Sequence, residues 1–352
     1  MGFLVGKRNT EYLRLVLVGC GRHATAVLHT ALGLMKEIKV VACCDKDEER
    51  AIFTARRFGL SEYYTDIDDM LSKVTADAAV VVTFPALQSK LITKCLEAGM
   101  HVYSEKPLAV ELDEAYKILD IAKKNNVYYG IGFNKRFSPY YQNMKEAISS
   151  SVFGAPSLFY AKFAGGYRPR TTDLLRVGAI HMFDLSRFLI GEVKEVSSYM
   201  YEKEPGQASI TANIMFENGC IGVYILSSLG LWSAKGMEYV EARGDQNIYW
   251  VDSCRQSLWQ KPPLSIEAGM TTQNRKEIPS PAEYLEPNYS DISYIEMQSF
   301  HLNGYFQAIQ AFASSILNNK KPNPGVEDGI QSLKIAMAIE ESAKTGKSIA
   351  IE

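Results

Sequence analysis

Three groups of residues in this chain have the types and spacing to do chemistry. The first is Gly19-Cys20-Gly21-Arg22-His23-Ala24, which directly follows the apolar run Leu13-Arg14-Leu15-Val16-Leu17-Val18. After a buried strand, Gly19 permits a tight bend and Gly21 lets the backbone approach a pyrophosphate. Ala24 is small enough for the next helix to pack closely on the strand. The free N–H groups of that helix, with the positive end of its dipole, favour phosphate, and Arg22 and His23 join the candidate contacts. A second apolar run ends in Asp45, 24 residues after Gly21, near the spacing at which a carboxylate reaches adenosine ribose hydroxyls. The competing reading of Asp45 is a cap for the helix that follows. Its charge repels a 2′-phosphate and favours NAD, while the adjacent cation Lys46 leaves NADP as the alternative. Thr83, closing the run 78–83, belongs to the same candidate cofactor set.

The second group is Glu105-Lys106-Pro107, immediately after the strand expected at 101–104. Carboxyl ends of strands in an open parallel sheet face the ligand crevice, so the tripeptide lies beside a bound cofactor. A partly desolvated lysine near a cationic nicotinamide has its ammonium form disfavoured and can exchange a proton with a substrate hydroxyl. The third group is His181, three residues before Asp184, preceded by a glycine-containing loop over 162–176 that carries four cations and one acid. Arg168 and Arg170 there offer bidentate recognition of phosphate or carboxylate, and Tyr167 and Asn134 can hydrogen-bond sugar hydroxyls. A solvated basic loop is the plainer reading.

The elements that must position these groups follow from the pattern. Residues 1–133 alternate strand and helix: strands at 13–18, 38–45, 63–64, 78–83, 101–104 and 128–132, helices at 47–58, 67–72, 86–98 and 112–124. That order requires crossovers, hence a doubly wound parallel sheet. Residues 134–352 read as an α+β domain: helices at 139–149 and 181–190, then strands at 157–163, 193–201, 211–217, 220–228, 237–243 and 248–252. Asn218-Gly219 marks a hairpin, so this sheet is large and mostly antiparallel, with helices on one face and a subunit interface expected on the other. Helices at 302–317 and 326–345 close the chain, and 261–290 reads as a long excursion. A chain of 352 residues with 47% hydrophobic content supports two such domains.

With 22% charged residues and a formal net charge of −2, no global field attracts nucleic acid or a membrane surface. The apolar runs fall far short of the roughly 20 residues of a spanning helix. The N-terminus lacks an apolar signal core and fails the myristoylation pattern at Gly6. The six cysteines show no metal-ligand spacing and read as reduced thiols of a cytoplasmic protein. The Asn288 sequon reads as coincidental.

The strand followed by Glu105-Lys106-Pro107, downstream of the glycine turn, resembles the Gfo/Idh/MocA family of nicotinamide-dependent sugar and cyclitol oxidoreductases. Gly130-Ile131-Gly132-Phe133-Asn134-Lys135-Arg136-Phe137 is similar to the family's Asn-x-Arg-Phe segment, and the closing stretch from Glu327 also matches. The resemblance implies that Lys106 contacts both cofactor and substrate. It maps the family's Asp-x-x-x-His-x-x-Asp pattern onto Val177, His181 and Asp184, with Val177 standing where many members carry Asp or Asn. His181 would then accept the hydroxyl proton as hydride leaves the same carbon, oriented by Asp184 or Asp173. A homodimer or homotetramer through the C-terminal sheet is also implied. The expected activity is oxidation of a secondary hydroxyl of a sugar, sugar phosphate or cyclitol, or reduction of the ketone. The alternatives are a redox-neutral, glycosidase-like enzyme and a non-catalytic nucleotide-sensing regulator.

Overall fold

The computed structural model describes residues 12–230, 237–245, 247–261 and 300–352. The N-terminal acylation pattern, the Asn288 sequon and the excursion beyond Lys261 lie outside them. The chain divides into two compact units: residues up to Phe133 with Tyr305–Ile330, and Asn134–Gly304 with Gln331–Glu352.

The first unit is built on five parallel strands, β1 (Leu13–Val18), β2 (Ile38–Cys44), β3 (Ala78–Val81), β4 (His101–Ser104) and β5 (Tyr129–Ile131). Their order is β2-β1-β3-β4-β5, so the winding reverses between β1 and β3. That reversal opens a crevice at the carboxyl ends of these strands. The crossovers are a helix with a π turn over Ala24–Leu28 that continues as α1 (His29–Leu32), then α2 (Glu48–Phe58), α3 (Ile67–Lys73), α4 (Pro85–Glu97) and α5 (Leu112–Lys124). β3 is buried along its whole length, as a strand covered on both faces must be. The expected strand at 63–64 is instead one bridge: Tyr64 exchanges hydrogen bonds with Cys43 and Asp45 at 2.9 and 3.1 Å. Two residues in a polar surround make a single rung, so the sheet has five strands and not six.

The second unit carries α6 (Pro139–Ile148), β6 (Leu158–Ala164), α7 (Thr171–Asp173), a π segment over Leu174–Ala179, and α8 (Ile180–Leu189). Then come β7 (Val193–Glu204), β8 (Gln207–Phe216), β9 (Ile221–Ser227), β10 (Glu238–Arg243), β11 (Ile248–Asp252) and β12 (Gln256–Gln260). Helix α9 (Tyr305–Leu317) and the start of α10 (Val326–Thr345) belong to the first unit, while the rest of α10 and a short β13 (Ile349–Ala350) belong to the second. The eight strands run β12-β11-β10-β6-β9-β8-β7-β13, all antiparallel neighbours except β6 and β9. Gly219, at φ +87°, turns the hairpin between β8 and β9. β12 escapes sequence reading because Gln256-Ser257-Leu258-Trp259-Gln260 has too little apolar character for a period-2 signal. Burial alternates along β6, β8 and β9. One face therefore holds the core, while the other presents Tyr199, Tyr201, Met215 and Ile221 to solvent.

Candidate active site

In the first unit the two turn glycines are required for different reasons. Gly19 has φ +95°, and a Cβ there would stand 2.0 Å from the Val82 carbonyl oxygen. Conformation and space both demand glycine. A Cβ on Gly21 would meet nothing within 4 Å, so the turn keeps an open cradle above that residue. Thr25 N–H closes the first helical turn on Gly21 O at 3.0 Å, which by helix geometry aims the N–H groups of Arg22, His23 and Ala24 outward. Ala24 is fully buried, as close helix packing needs, while Arg22 and His23 are exposed. The residues present fit a dinucleotide pyrophosphate.

Asp45 brackets this turn. Its Oδ2 accepts from Cys20 N–H at 2.7 Å and its Oδ1 from Asp47 N–H at 2.9 Å. The helix cap is Asp47, which accepts from Arg50 N–H, so the capping reading of Asp45 is corrected. Asp45 is half-buried and Lys46 exposed beside it. The Cys20 thiol is held below its ordinary pKa by the Cys43 thiol beside it, against the opposing effect of burial, and all six cysteines are buried and unbridged.

The lysine loop is anchored by its backbone. Glu105 N–H donates to Val81 O at 3.1 Å. The Ser104 hydroxyl donates to Glu105 O at 2.9 Å and is itself bonded to the Tyr129 hydroxyl at 2.6 Å. Glu105 is 4% exposed, with Oε1 3.8 Å from His23 Nε2. Lys106 is half-buried and Pro107 buried, and the peptide between them is cis. Sequence reading missed Gln88 of α4, whose side chain reaches the Glu105 and Pro107 carbonyls and the N–H of half-buried Thr83. A glutamine inside an amphipathic helix carries no signal of such a role.

In the second unit His181 is the second residue of α8 and 8% exposed. Sequence reading placed it at a helix start after a loop. The helical run instead begins at Thr171, and the π segment carries it through to α8, leaving only 165–170 irregular. The carboxylates expected to orient His181 have arginine partners. Asp184 accepts from Arg136 Nε and Nη2 at 2.8 and 2.6 Å, with both residues buried. Asp173 pairs with Arg170 at 2.9 Å. Two patterns that look separate in sequence, Asn-x-Arg-Phe and His-x-x-Asp, are therefore halves of one buried ion pair. The Arg136 guanidinium also lies 5.7 Å from the Phe188 ring, which fixes α8 and with it the base of His181.

The rest of the 3-10 turn Asn134–Phe137 is equally committed. Asn134 is 2% exposed and its Nδ2 donates to Asn303 O at 2.7 Å, a tie to the main chain that engages its amide nitrogen. Lys135 is buried against Glu238; burial pushes the lysine pKa down, but the attraction and hydrogen bond of Glu238, with Cys254 added, leave it raised. Tyr167 is 70% exposed, and Val177 is half-buried. Arg168, its pKa lowered by burial, places Nη2 3.3 Å from where a Cβ on Gly178 would stand, one turn before His181. Arg176 is bonded to Glu340 at 2.8 Å. Arg170 and Arg176 of this loop thus sit in ion pairs. Among the described residues no cluster of His, Cys, Asp and Glu could hold a metal ion, and no helix is long and apolar enough to cross a membrane.

The glycine turn, the winding reversal and the bracketed lysine loop define an NAD-binding oxidoreductase. Residues 13–133 match the oxidoreductase family, NAD-binding Rossmann fold, and residues 166–351 match its C-terminal alpha/beta domain; the chain belongs to the Gfo/Idh/MocA family. It is similar to a myo-inositol 2-dehydrogenase of Thermotoga maritima, 24% identical over 97% of this chain and 99% of the relative. It is also similar to a D-glucoside 3-dehydrogenase of Escherichia coli, 23% identical over 96% and 97%. Among solved structures, the WlbA dehydrogenase of Bordetella pertussis in complex with NADH and UDP-GlcNAcA has a TM-score of 0.79 at 20% identity, covering 97% of this chain and 98% of that one.

Proposed function

We propose that this chain transfers a hydride between NAD and a secondary hydroxyl, or the matching ketone, of a cyclitol or sugar. The observation that carries this is a half-buried lysine held at the carboxyl end of a parallel strand, beside the reversal that opens a dinucleotide crevice. The inositol and glucoside dehydrogenases among its relatives support the substrate class. Bound NAD would supply the hydride acceptor. Gly19, Gly21 and the first-turn N–H groups hold its pyrophosphate, and Asp45, Lys46, Thr83 and Glu105 complete that set. Lys106 hydrogen-bonds the reacting oxygen and His181 takes its proton; such groups contribute about 10²–10⁴-fold each. Arg168, close to the His181 helix, favours a substrate with an anionic group, Tyr167 adds a hydroxyl contact, and Arg170 joins once Asp173 releases it. The exposed sheet face with Tyr199 and Tyr201 supports pairing of subunits.

The test is absorbance of reduced nicotinamide with NAD, then NADP, across inositols, glucosides, sugar phosphates and nucleotide sugars. A rise with one class, lost in Lys106→Ala and His181→Ala, is expected. A KM raised only for anionic substrates in Arg168→Gln would assign that arginine. Cofactor binding without turnover on any substrate would count for the redox-neutral or sensing alternatives.

A further inference from the structure

We propose that Gln88 is the positioning residue of the lysine loop, setting where the Lys106 ammonium stands by holding the carbonyls on both sides of it. Gln88 lies in the first turn of α4 and is 1% exposed. Its Nε2 donates to Glu105 O and, at 2.7 Å, to Pro107 O. Its Oε1 accepts from Thr83 N–H at 3.4 Å. One side chain thus ties the end of β3 to the carbonyls before and after Lys106.

The orientation of the amide follows from its surroundings. Two carbonyl oxygens face one end of it, and only the NH₂ end carries two donors. Turning the amide over would bring three acceptors together in a buried place with no donor among them, which buried polar groups do not tolerate. The Glu105 carbonyl also accepts from the Ser104 hydroxyl, so its two lone pairs are both engaged. The backbone on either side of Lys106 is therefore held by one amide, and the lysine side chain starts from a fixed point. A loop released from Gln88 keeps its lysine but lets the ammonium wander, and a misplacement of about 1 Å at a reacting group can lower the rate on the order of 10²-fold.

The inference rests on the reading of Lys106 as a proton-handling group. Its test compares Gln88→Met, which keeps length and volume but no donor, with Gln88→Glu and with Gln88→His, which keeps one N–H. Each is assayed in the full-length protein by steady-state kinetics and by NADH fluorescence titration. In Gln88→Met we expect kcat to fall roughly 10–100-fold with NADH affinity changed less than about threefold. Gln88→His falls between Met and wild type. Gln88→Glu loses activity where its carboxylate is ionised and regains it on acidification, because a protonated carboxyl again donates to a carbonyl. A packing role would not produce that profile. Wild-type kcat in a folded Gln88→Met, or a wild-type pH profile in Gln88→Glu, overturns the proposal.

Full turnover in Lys106→Ala overturns the reading of the lysine instead, and separates the two failures. In that event pulse acetylation of Lys106, read by mass spectrometry against exposed Lys39, tests Gln88 without turnover. A changed Lys106 reactivity in the Met variant supports the positioning, and an unchanged one overturns it.

Discussion

The two units hold their candidate groups by different means. In the first, the glycine turn and the lysine loop are set by main-chain N–H groups at strand ends: Gly19 donates to the Cys44 carbonyl, Cys20 to the Asp45 carboxylate, Glu105 to the Val81 carbonyl. In the second, His181 sits on a helix kept in place by side-chain ion pairs, Arg136 with Asp184 and Arg176 with Glu340. A site built on the main chain fails when the main chain is obstructed, or when one of the few side chains bonded to it, Asp45 or Gln88, is lost. A site fixed by buried charge fails when either partner is lost.

Three experiments break or sharpen that contrast. The largest effect is expected in the second unit. Asp184→Ala leaves the Arg136 guanidinium buried without its carboxylate and should lower stability by about 3–5 kcal/mol, while Arg136→Met with Asp184→Leu should recover most of the loss. Chemical unfolding of the single and double variants measures this; equal losses would show that the pair is not the anchor.

In the first unit, Gly19→Ala combines a positive φ with a collision at Val82 and should cost roughly 3–4 kcal/mol. Gly21→Ala, with open space around it, should stay within about 1 kcal/mol of wild type while weakening NADH binding. Unfolding curves with NADH titrations separate the two, and similar destabilisation by both would contradict the contrast.

The third effect is a pH dependence confined to the first unit. His29 of α1 is 1% exposed, edge-on to Phe58; burial, with the charge of Arg57 added, pushes its pKa down to about 4. The ordinary value is about 6.5. Between these values the unfolded chain takes up a proton that the native one refuses. Stability from this group is therefore present above about pH 6.5 and lost as pH falls through about 4, on the order of 3 kcal/mol in all. His29→Leu should flatten that part of the stability profile between pH 7 and 4. An unchanged slope in the variant would assign the loss to carboxylates.

The contrast also explains what the sequence disclosed. Backbone-set features leave local marks: a glycine pair, an acid at a fixed interval, a tripeptide after a strand. Gly19 and Ala24 are legible because each answers a local steric demand, and Gly21 and the strand ahead of Lys106 because each belongs to a short contiguous pattern. Asn134, Arg136 and Asp184 are visible as motif letters, but their partners lie far along the chain, and spacing cannot tell a substrate contact from a buried tie. The same limit hid Gln88, whose bonds reach loops on two other strands, and the start of the His181 helix, because the π segment follows no 3.6-residue period. Tyr63-Tyr64 misled in the opposite way: a local β preference formed one rung where no further strand had room.

The bracket formed by Asp45 has a bearing on protein engineering. Changing the coenzyme of such a chain to the phosphorylated form would ordinarily begin by removing this acid, since its charge opposes a 2′-phosphate. Here the same carboxylate accepts from the main chain of Cys20 and of Asp47, so Asp45→Ala would loosen the turn that it was meant to retune. Asp45→Asn keeps an acceptor for one of the two N–H groups and removes the charge. A redesign that starts from asparagine, with Lys46 left to meet the added phosphate, is expected to change preference while conserving the scaffold of the loop, as titration with both coenzymes would measure.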